Sequence, residues 1–229
     1  MFVDFHCHIL PGADHGSENL EMSCAQLCAA CDAGVDTIVA TPHFYPAEDT
    51  VEAFLERRAK AYDELMSANL HGIKIIPAAE VHLGMNIEYL EGLEKLCVGN
   101  TNYILLEFPP EPWPYWIYDS VTEIARTRRL RPIIAHIDRY SHLGREKILK
   151  LNADVQMNAS ALLDSRRLRN YYLDLIADDA IHIIGSDCHG DGKLAYKDFT
   201  AAIKKTKGLI NYMTENARSI LASGNKFRA

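Results

Sequence analysis

The sequence predicts an α/β fold: a single-domain (β/α)7 TIM-like barrel over 1–229, with the active site at the C-terminal ends of the strands. Three observations predict it. Seven short, β-branched runs alternate with segments of helical period along nearly the whole chain. The runs are continuously apolar rather than alternating, as in parallel strands covered on both faces. No low-complexity stretch or linker interrupts the series, and a barrel is the closed form of such an alternation.

The elements follow in order. Phe2–His6 reads as the first strand, followed by a helix capped by Ser17 and ended by Gly34. Thr37–Ala40 is the second strand. Residues 51–70 then place Phe54, Leu55, Arg58, Tyr62, Leu65 and Met66 on one helical face, stopped by Gly72. Lys74–Ala78 and Tyr103–Glu107 are the third and fourth strands, with a helix over 86–96 between them. A helix over 115–129 leads to Pro132–His136, and Asp154–Met157 is the sixth strand. A helix over 160–178 precedes His182–Gly185; helices over 194–206 and from Thr214 to near Gly224 complete the chain.

Composition narrows the function. With 229 residues, 48% hydrophobic and 24% charged, the chain has material for a full core. A net charge of −7 without a Lys/Arg run argues against nucleic-acid binding. No apolar stretch approaches the roughly 18 residues of a membrane span, and Met1–His6 has no export-signal pattern. Cys24, Cys28 and Cys31 fall at i, i+4, i+7 beside Leu20 and Leu27. They read as small buried hydrophobes on an amphipathic helix, in preference to a redox or zinc pair at Cys28-x-x-Cys31. Reduced thiols and a cytoplasmic location are expected.

The strand ends carry the chemistry. The first runs into His6-Cys7-His8, with Asp14 in the following loop. The others end at His43, at Glu80-Val81-His82, at Glu107, at His136-Ile137-Asp138-Arg139 and at Asp187-Cys188-His189; only the sixth, Gln156-Met157-Asn158, offers no charged group. In a (β/α) barrel those ends converge in space. Each motif alone has a plain structural explanation, but His6, His8, Asp14, His43, Glu80, Glu107, His136, Asp187 and His189 together point to a metal cluster. Four carboxylates in one cleft need cations. Three divalent ions would leave the cleft net positive, and Arg139 adds to it, so a phosphate dianion is attracted despite the acidic chain. Mixed imidazole and carboxylate donors suit Mn, Fe or Zn.

At this point the motifs show a resemblance. His6-Cys7-His8-Ile9-Leu10-Pro11-Gly12-Ala13-Asp14, Ala40-Thr41-Pro42-His43, Ala79-Glu80-Val81, Leu106-Glu107-Phe108, Ala135-His136-Ile137-Asp138-Arg139-Tyr140, Asn158-Ala159 and Gly185-Ser186-Asp187-Cys188-His189 resemble the PHP (polymerase and histidinol phosphatase) superfamily. The nearest branch is the bacterial capsular and exopolysaccharide-type, manganese-dependent tyrosine-protein phosphatases, whose tail Thr214–Leu221 also resembles. The resemblance implies a distorted barrel and three divalent ions, Mn first, with Fe, Zn, Co or Mg as alternatives. His6, His8, Glu80 and Asp187 would hold one ion. Glu80, Glu107 and His136 would hold the second, and Asp14, His43 and His189 the third. Arg139 matches the phosphate-contacting arginine. His15 stands where the branch has a second Asp, Ile137-Asp138 replaces Pro-Glu, and Ala217 stands where the tail often has Pro.

The expected chemistry is phosphomonoester hydrolysis by attack of a metal-held hydroxide on phosphorus, with Glu80, His136 and Arg139 as catalytic groups. The expected partner is a phosphotyrosine-containing protein, the cognate exopolysaccharide or capsule tyrosine kinase. His15, His82 and Asp138 are open as acids or as outer supports. The cysteine-phosphatase spacing of Cys, five residues, then Arg is missing: Cys7 leads to Ala13 and Cys188 to Leu194. Glu107 stands where an amidohydrolase would carry a bridging lysine. In Phe108–Trp116, Trp113 is a candidate substrate contact, an aromatic wall for the phosphotyrosyl ring. The competing reading has Pro114 start a helix at N1 while the aromatics dock it. Two alternatives to a tyrosine phosphatase are a histidinol-phosphate-type phosphatase and a non-catalytic metal-binding module.

Overall fold

The computed structural model describes residues 1–206 and 208–224. All seven expected strands form: β1 (Phe2–Cys7), β2 (Val35–Ala40), β4 (Lys74–Pro77), β6 (Tyr103–Glu107), β7 (Arg131–Ile134), β8 (Asp154–Asn158) and β9 (Ile183–Gly185). Two short strands add to them, β3 (His43–Phe44) and β5 (Glu80–His82). Each resumes a strand that has just stopped. Pro42 interrupts the run after β2, because it has no N–H to donate to a ladder; Ala78-Ala79 separates β4 from β5. The chain thus pairs in two parallel sheets, in the orders β1-β2-β4 and β3-β5-β6-β7-β8-β9.

The result is a mixed α/β architecture with a curled parallel sheet, whose last strand returns to the first. The Asp187 N–H donates to His6 O at 2.7 Å and the His8 N–H to Cys188 O at 3.1 Å, with Cys7 bridged to Cys188. Buried Asp4 ties the same seam. Its Oδ1 accepts from the His6 and Ser186 N–H groups, and its Oδ2 from the Tyr196 hydroxyl at 2.7 Å. The approach is close enough that a Cβ on Gly185 would lie 2.5 Å from His6 Cβ.

Alternate residues of the strands enter separate cores. Val3, Phe5, Tyr103, Leu105 and Ile133 cluster with Ala217 and Ile220 of α7 (Leu209–Ala222), whereas Ile104, Leu106 and Ile134 belong to a larger cluster containing the flanking helices. Both faces of the sheet are therefore buried, as the unbroken apolar runs require.

Several helix boundaries move from expectation. Helix α1 (Leu20–Asp32) is capped by Asn19, whose side chain accepts from the Met22 N–H. Ser17 is held earlier, folded back on β1 by its N–H to His8 O at 3.0 Å. The buried stripe of α1 is Ser23, Gln26, Leu27 and Ala30, so the cysteines sit one position around: Cys24 is half-buried, and Cys28 and Cys31 are exposed. Helix α2 (Val51–Met66) begins after Thr50 and leaves Met66 exposed. The expected helix over 86–96 is two 3-10 turns, Ile87–Tyr89 and Leu93–Leu96, because Asn86 and Gly92 adopt left-handed backbone. Helix α3 (Trp116–Thr127) starts two residues after Pro114, which is therefore not at N1. An unforeseen α4 (His142–Ile148) is capped by Ser141. The stretch 160–178 splits into a 3-10 turn and α5 (Arg166–Ala177), whose N-cap is Ser165. Helix α6 is Gly192–Ile203. Thr214 lies inside α7 rather than capping it, because Ile210, Met213, Ala217 and Ile220 continue one buried stripe. No helix among the described residues is long and apolar enough to cross a membrane.

Candidate metal centre

Every acid and imidazole noted at the strand ends arrives at one cleft. Parallel pairing sets His43 beside Glu80, and Glu107 beside His82. β1 contributes His6 and, just past its end, His8; the β1–β9 seam brings Asp187 alongside. The loop carrying Asp14 turns back over His8 at Gly16, where a Cβ would lie 2.3 Å from His8 Cβ. Only glycine permits that approach.

Three groups of donor atoms result. His6 Nε2 and His8 Nε2 lie 3.1 Å apart, and Glu80 Oε2 is 3.1 and 3.2 Å from them. Asp187 Oδ1 closes that set at 3.6 and 3.4 Å. The other Glu80 oxygen faces His136 Nε2 at 2.8 Å, which is 3.4 Å from Glu107 Oε1. His43 Nδ1 lies 3.1 Å from Glu80 Oε2 and 3.8 Å from Glu107 Oε2. Finally His43 Nε2 meets His189 Nε2 at 3.4 Å, with the His8 ring stacked on His189 at 3.8 Å. His8, His43 and His189; His6, His8 and Asp187; and His43, Glu80 and Glu107 are each spaced to hold a metal ion.

Behind these donors stand groups that fix their orientation. The His6 Nδ1–H donates to Gln156 Oε1 at 3.3 Å and the His8 Nδ1–H to Asp14 Oδ2 at 2.7 Å. With Nδ1 so engaged, it is Nε2 that gives up its proton and turns a lone pair into the cleft when a metal binds. Asp14 is engaged further: Oδ2 also accepts from the His43 N–H, and Oδ1 from the Gly16 N–H. Gln156 Oε1 accepts from the His136 N–H at 2.6 Å, and its amide donates to Met157 O. Asn158 donates to Asp187 Oδ2 at 2.9 Å, and Arg139 pairs with the same oxygen. Asp138 accepts from the Asn158 N–H, His82 Nδ1 is 3.3 Å from Glu107 Oε2, and exposed His15 stacks on His43 at 4.6 Å.

The charge balance identifies what the set can bind. Burial opposes ionisation of Glu80, but the imidazoles of His6 and His8 beside Oε2 and the hydrogen bond from His136 to Oε1 hold it well below the usual range. Burial works against Asp187 in the same way, and His6, His8 and Arg139 overcome it. Glu107 is held at about 2, against burial, by His136 and His82. The imidazoles supply the balancing charge. Burial opposes protonation of His136, yet hydrogen bonds to Glu107 and Glu80 lift it to about 9. Burial and the charge on His8 depress His43 to about 4, against the pull of Glu80 and Glu107. Glu80 Oε2, Asp187 Oδ1 and His43 Nδ1 are nevertheless buried without a hydrogen-bond partner. Orphaned oxygens facing converging imidazole nitrogens are a donor set that divalent cations complete, displacing protons as they bind.

His136 (φ 30°) and Asp187 (φ 53°) both sit in left-handed backbone. Such residues cost about 1–3 kcal/mol each and concentrate at functional sites. Sequence reading missed this strain, and it missed Gln156 because a neutral amide at a strand end carries no ligand signal. Trp113 is half-buried; its Nε1–H donates to Pro109 O at 2.6 Å and its ring packs on Phe108, Tyr118 and Tyr140. Tyr140 in turn lies 5.6 Å from His136, so Trp113 is one ring removed from the cleft.

The family model for capsular polysaccharide synthesis, CpsB/CapC, matches residues 2–222, and the chain belongs to that family. Tyrosine-protein phosphatase YwqE of Bacillus subtilis is 27% identical over 241 residues, covering 99% of this chain and 94% of its own. Putative tyrosine-protein phosphatase CapC of Staphylococcus aureus is 27% identical, covering 82% of this chain and 76% of its own. Among solved structures, the chain is similar to one from a study of B. subtilis YwqE and Streptococcus pneumoniae CpsB, described as unique metal-dependent tyrosine phosphatases. The TM-score is 0.79 at 25% identity, covering 97% of this chain and 95% of that one. Histidinol phosphate phosphatase of Lactococcus lactis shares the fold at TM-score 0.52 and 14% identity, covering 90% and 94%.

Proposed function

We propose that this chain is a metal-dependent protein-tyrosine phosphatase, with three divalent ions, manganese first, at the strand ends of a distorted (β/α)7 barrel formed as one domain. The observation that carries the reading is the convergence of His6 Nε2 and His8 Nε2 on Glu80 Oε2 and Asp187 Oδ1, each nitrogen within 3.6 Å of both oxygens, beside the Arg139 guanidinium. His6, His8, Glu80 and Asp187 would hold one ion, and Glu80, Glu107 and His136 a second. Asp14, His43 and His189 would hold a third, Asp14 also orienting His8 through Oδ2. Bound there, the ions supply Lewis acidity and a water acidic enough to serve as nucleophile at neutral pH.

The chain's own groups then bind and orient. Arg139, with a half-exposed side chain, offers its guanidinium fork to the non-bridging phosphate oxygens, exchanging its Asp187 partner for the substrate dianion. Glu80 would use both oxygens and so couple two cation positions, its Oε1 lying 2.8 Å from His136 Nε2 at the second. Gln156 and Asp14 hold His6 and His8 in the tautomer that presents Nε2. The leaving phenolate, with a pKa of about 10, departs without a strong general acid. The half-buried ring of Trp113, backed by buried Phe108 and Tyr140, is the wall offered to the phosphotyrosyl ring.

The relatives that span almost the full chain favour a protein-tyrosine substrate over histidinol phosphate. The physiological partner is a phosphorylated capsule or exopolysaccharide tyrosine kinase, met in the cytoplasm. Steady-state kinetics on a phosphotyrosyl peptide and on histidinol phosphate, before and after chelation, test the reading. A metal-dependent preference for the peptide supports it; preference for histidinol phosphate, or turnover insensitive to chelation, contradicts it.

A further inference from the structure

Away from the cleft, the exposed edge of α1 meets the loop between α2 and β4. There Cys28 Sγ lies 3.3 Å from His71 Nε2, and Cys31 Sγ lies 3.9 Å from the His71 carbonyl. His71 is held in left-handed backbone (φ 51°), with Asn69 Oδ1 accepting its N–H at 3.0 Å. The loop is therefore shaped to bring this imidazole back onto the helix. The two thiols are exposed and unbridged, and neither contributes to the buried stripe of α1.

We infer that Cys28, Cys31 and His71 form a second metal site, separate from the strand-end cleft and suited to a thiophilic ion such as zinc. The donors are soft, unlike the carboxylate-rich cleft. The spacing separates this from a redox pair. Residues i and i+3 of a helix have Cβ atoms about 5–6 Å apart, beyond the roughly 3.5–4.5 Å a disulfide spans. Two thiolates at that spacing reach one ion at about 2.3 Å each, with an imidazole at about 2.0–2.1 Å. The 3.3 Å between Cys28 Sγ and His71 Nε2 is already close to the separation of two ligands on one tetrahedral ion. Cys31 Sγ faces the His71 carbonyl, and a rotation about its Cα–Cβ bond would bring it round as the third donor, with solvent completing the shell. Binding deprotonates both thiols, so it strengthens as pH rises.

Cobalt(II) is the probe, titrated into the reduced, manganese-loaded full-length protein. A thiolate ligand gives cobalt a near-ultraviolet charge-transfer band, and the proposed ligands of the cleft include no thiolate. The expected result is one such band, saturating at one equivalent, abolished by Cys28→Ser and by Cys31→Ser. His71→Ala weakens affinity by at least the roughly 10–100-fold that loss of an outer-shell partner costs. Phosphatase turnover stays at the wild-type level in Cys28→Ser, which separates this site from the cleft. No band in the reduced protein, or an undiminished band in Cys28→Ser, overturns the inference.

Discussion

Replacing Gln156 by Leu tests how the cleft is preorganised. Gln156 is fully buried, and one oxygen accepts from both the His136 N–H (2.6 Å) and the His6 Nδ1–H (3.3 Å). Its amide donates to Met157 O (2.7 Å) and Asn158 Oδ1 (3.2 Å). Leucine fills similar space and returns none of these bonds. The His136 N–H is then stranded in the interior, at about 1–3 kcal/mol. His6 also loses the acceptor that fixes its tautomer, which lowers metal affinity by about 10–100-fold. Gln156→Glu keeps the acceptor for His6 and the His136 N–H, so it retains metal affinity while losing the donor to Met157 O. Urea unfolding of the chelated protein reads the first effect, and manganese titration against a chromophoric chelator reads the second. Wild-type unfolding midpoint and wild-type affinity in Gln156→Leu would refute the reasoning.

Further outcomes follow from the same geometry. Arg139→Ala should lower kcat/KM on a phosphotyrosyl peptide by about 10²–10³, the scale of losing a charge-stabilising donor, while metal content measured by elemental analysis stays unchanged. Trp113→Ala removes a half-buried ring packed on Phe108 and Tyr140; it should lower stability by about 1–3 kcal/mol and raise KM for the peptide, and unchanged kinetics would remove the aromatic wall from the account. Burial, with Glu94 adding to it against the pull of Arg58, pushes the Cys97 thiol up to about 12 from an ordinary 9. Between those values the native state keeps a proton the unfolded chain releases, so stability is fully present below pH 9 and falls above it by about 1.4 kcal/mol per pH unit; Cys97→Ala, compared by denaturant unfolding at pH 8 and pH 10.5, should show a shallower fall.

Much of the fold was legible because its signals are local. Continuous apolar runs located the seven main strands, and glycine and capping residues marked the neighbourhoods of most helix ends. What escaped depends on neighbours distant in sequence. Ser17 has the chemistry of a cap, yet the loop around Gly16 draws it onto His8, and Asn19 takes the role. The cysteines of α1 repeat at helical spacing, but the core lies one position around the helix. The kink at Pro42 that splits β2 from β3, and so sets His43 beside Glu80, looks in sequence like the end of a strand.

The cleft was legible because charged side chains recur at strand ends, and a curled parallel sheet gathers those ends. Its supports were not. Gln156 and Asn158 are neutral, Asp4 sits in mid-strand, and the weak tolerance of His and Asp for left-handed backbone does not single out His136 and Asp187 among the chain's many others. Asp14 was legible as an acid near the cleft, but its engagement with His8 and two backbone N–H groups appears only in three dimensions.

The central claim is that these strand-end imidazoles and acids hold divalent cations. Anomalous diffraction at the manganese edge, from crystals of the manganese-loaded protein, tests it most directly. The account predicts anomalous peaks within the cleft, one of them ringed by His6, His8, Glu80 and Asp187. A cleft without an anomalous peak at saturating manganese, its side chains still paired with one another, would contradict it.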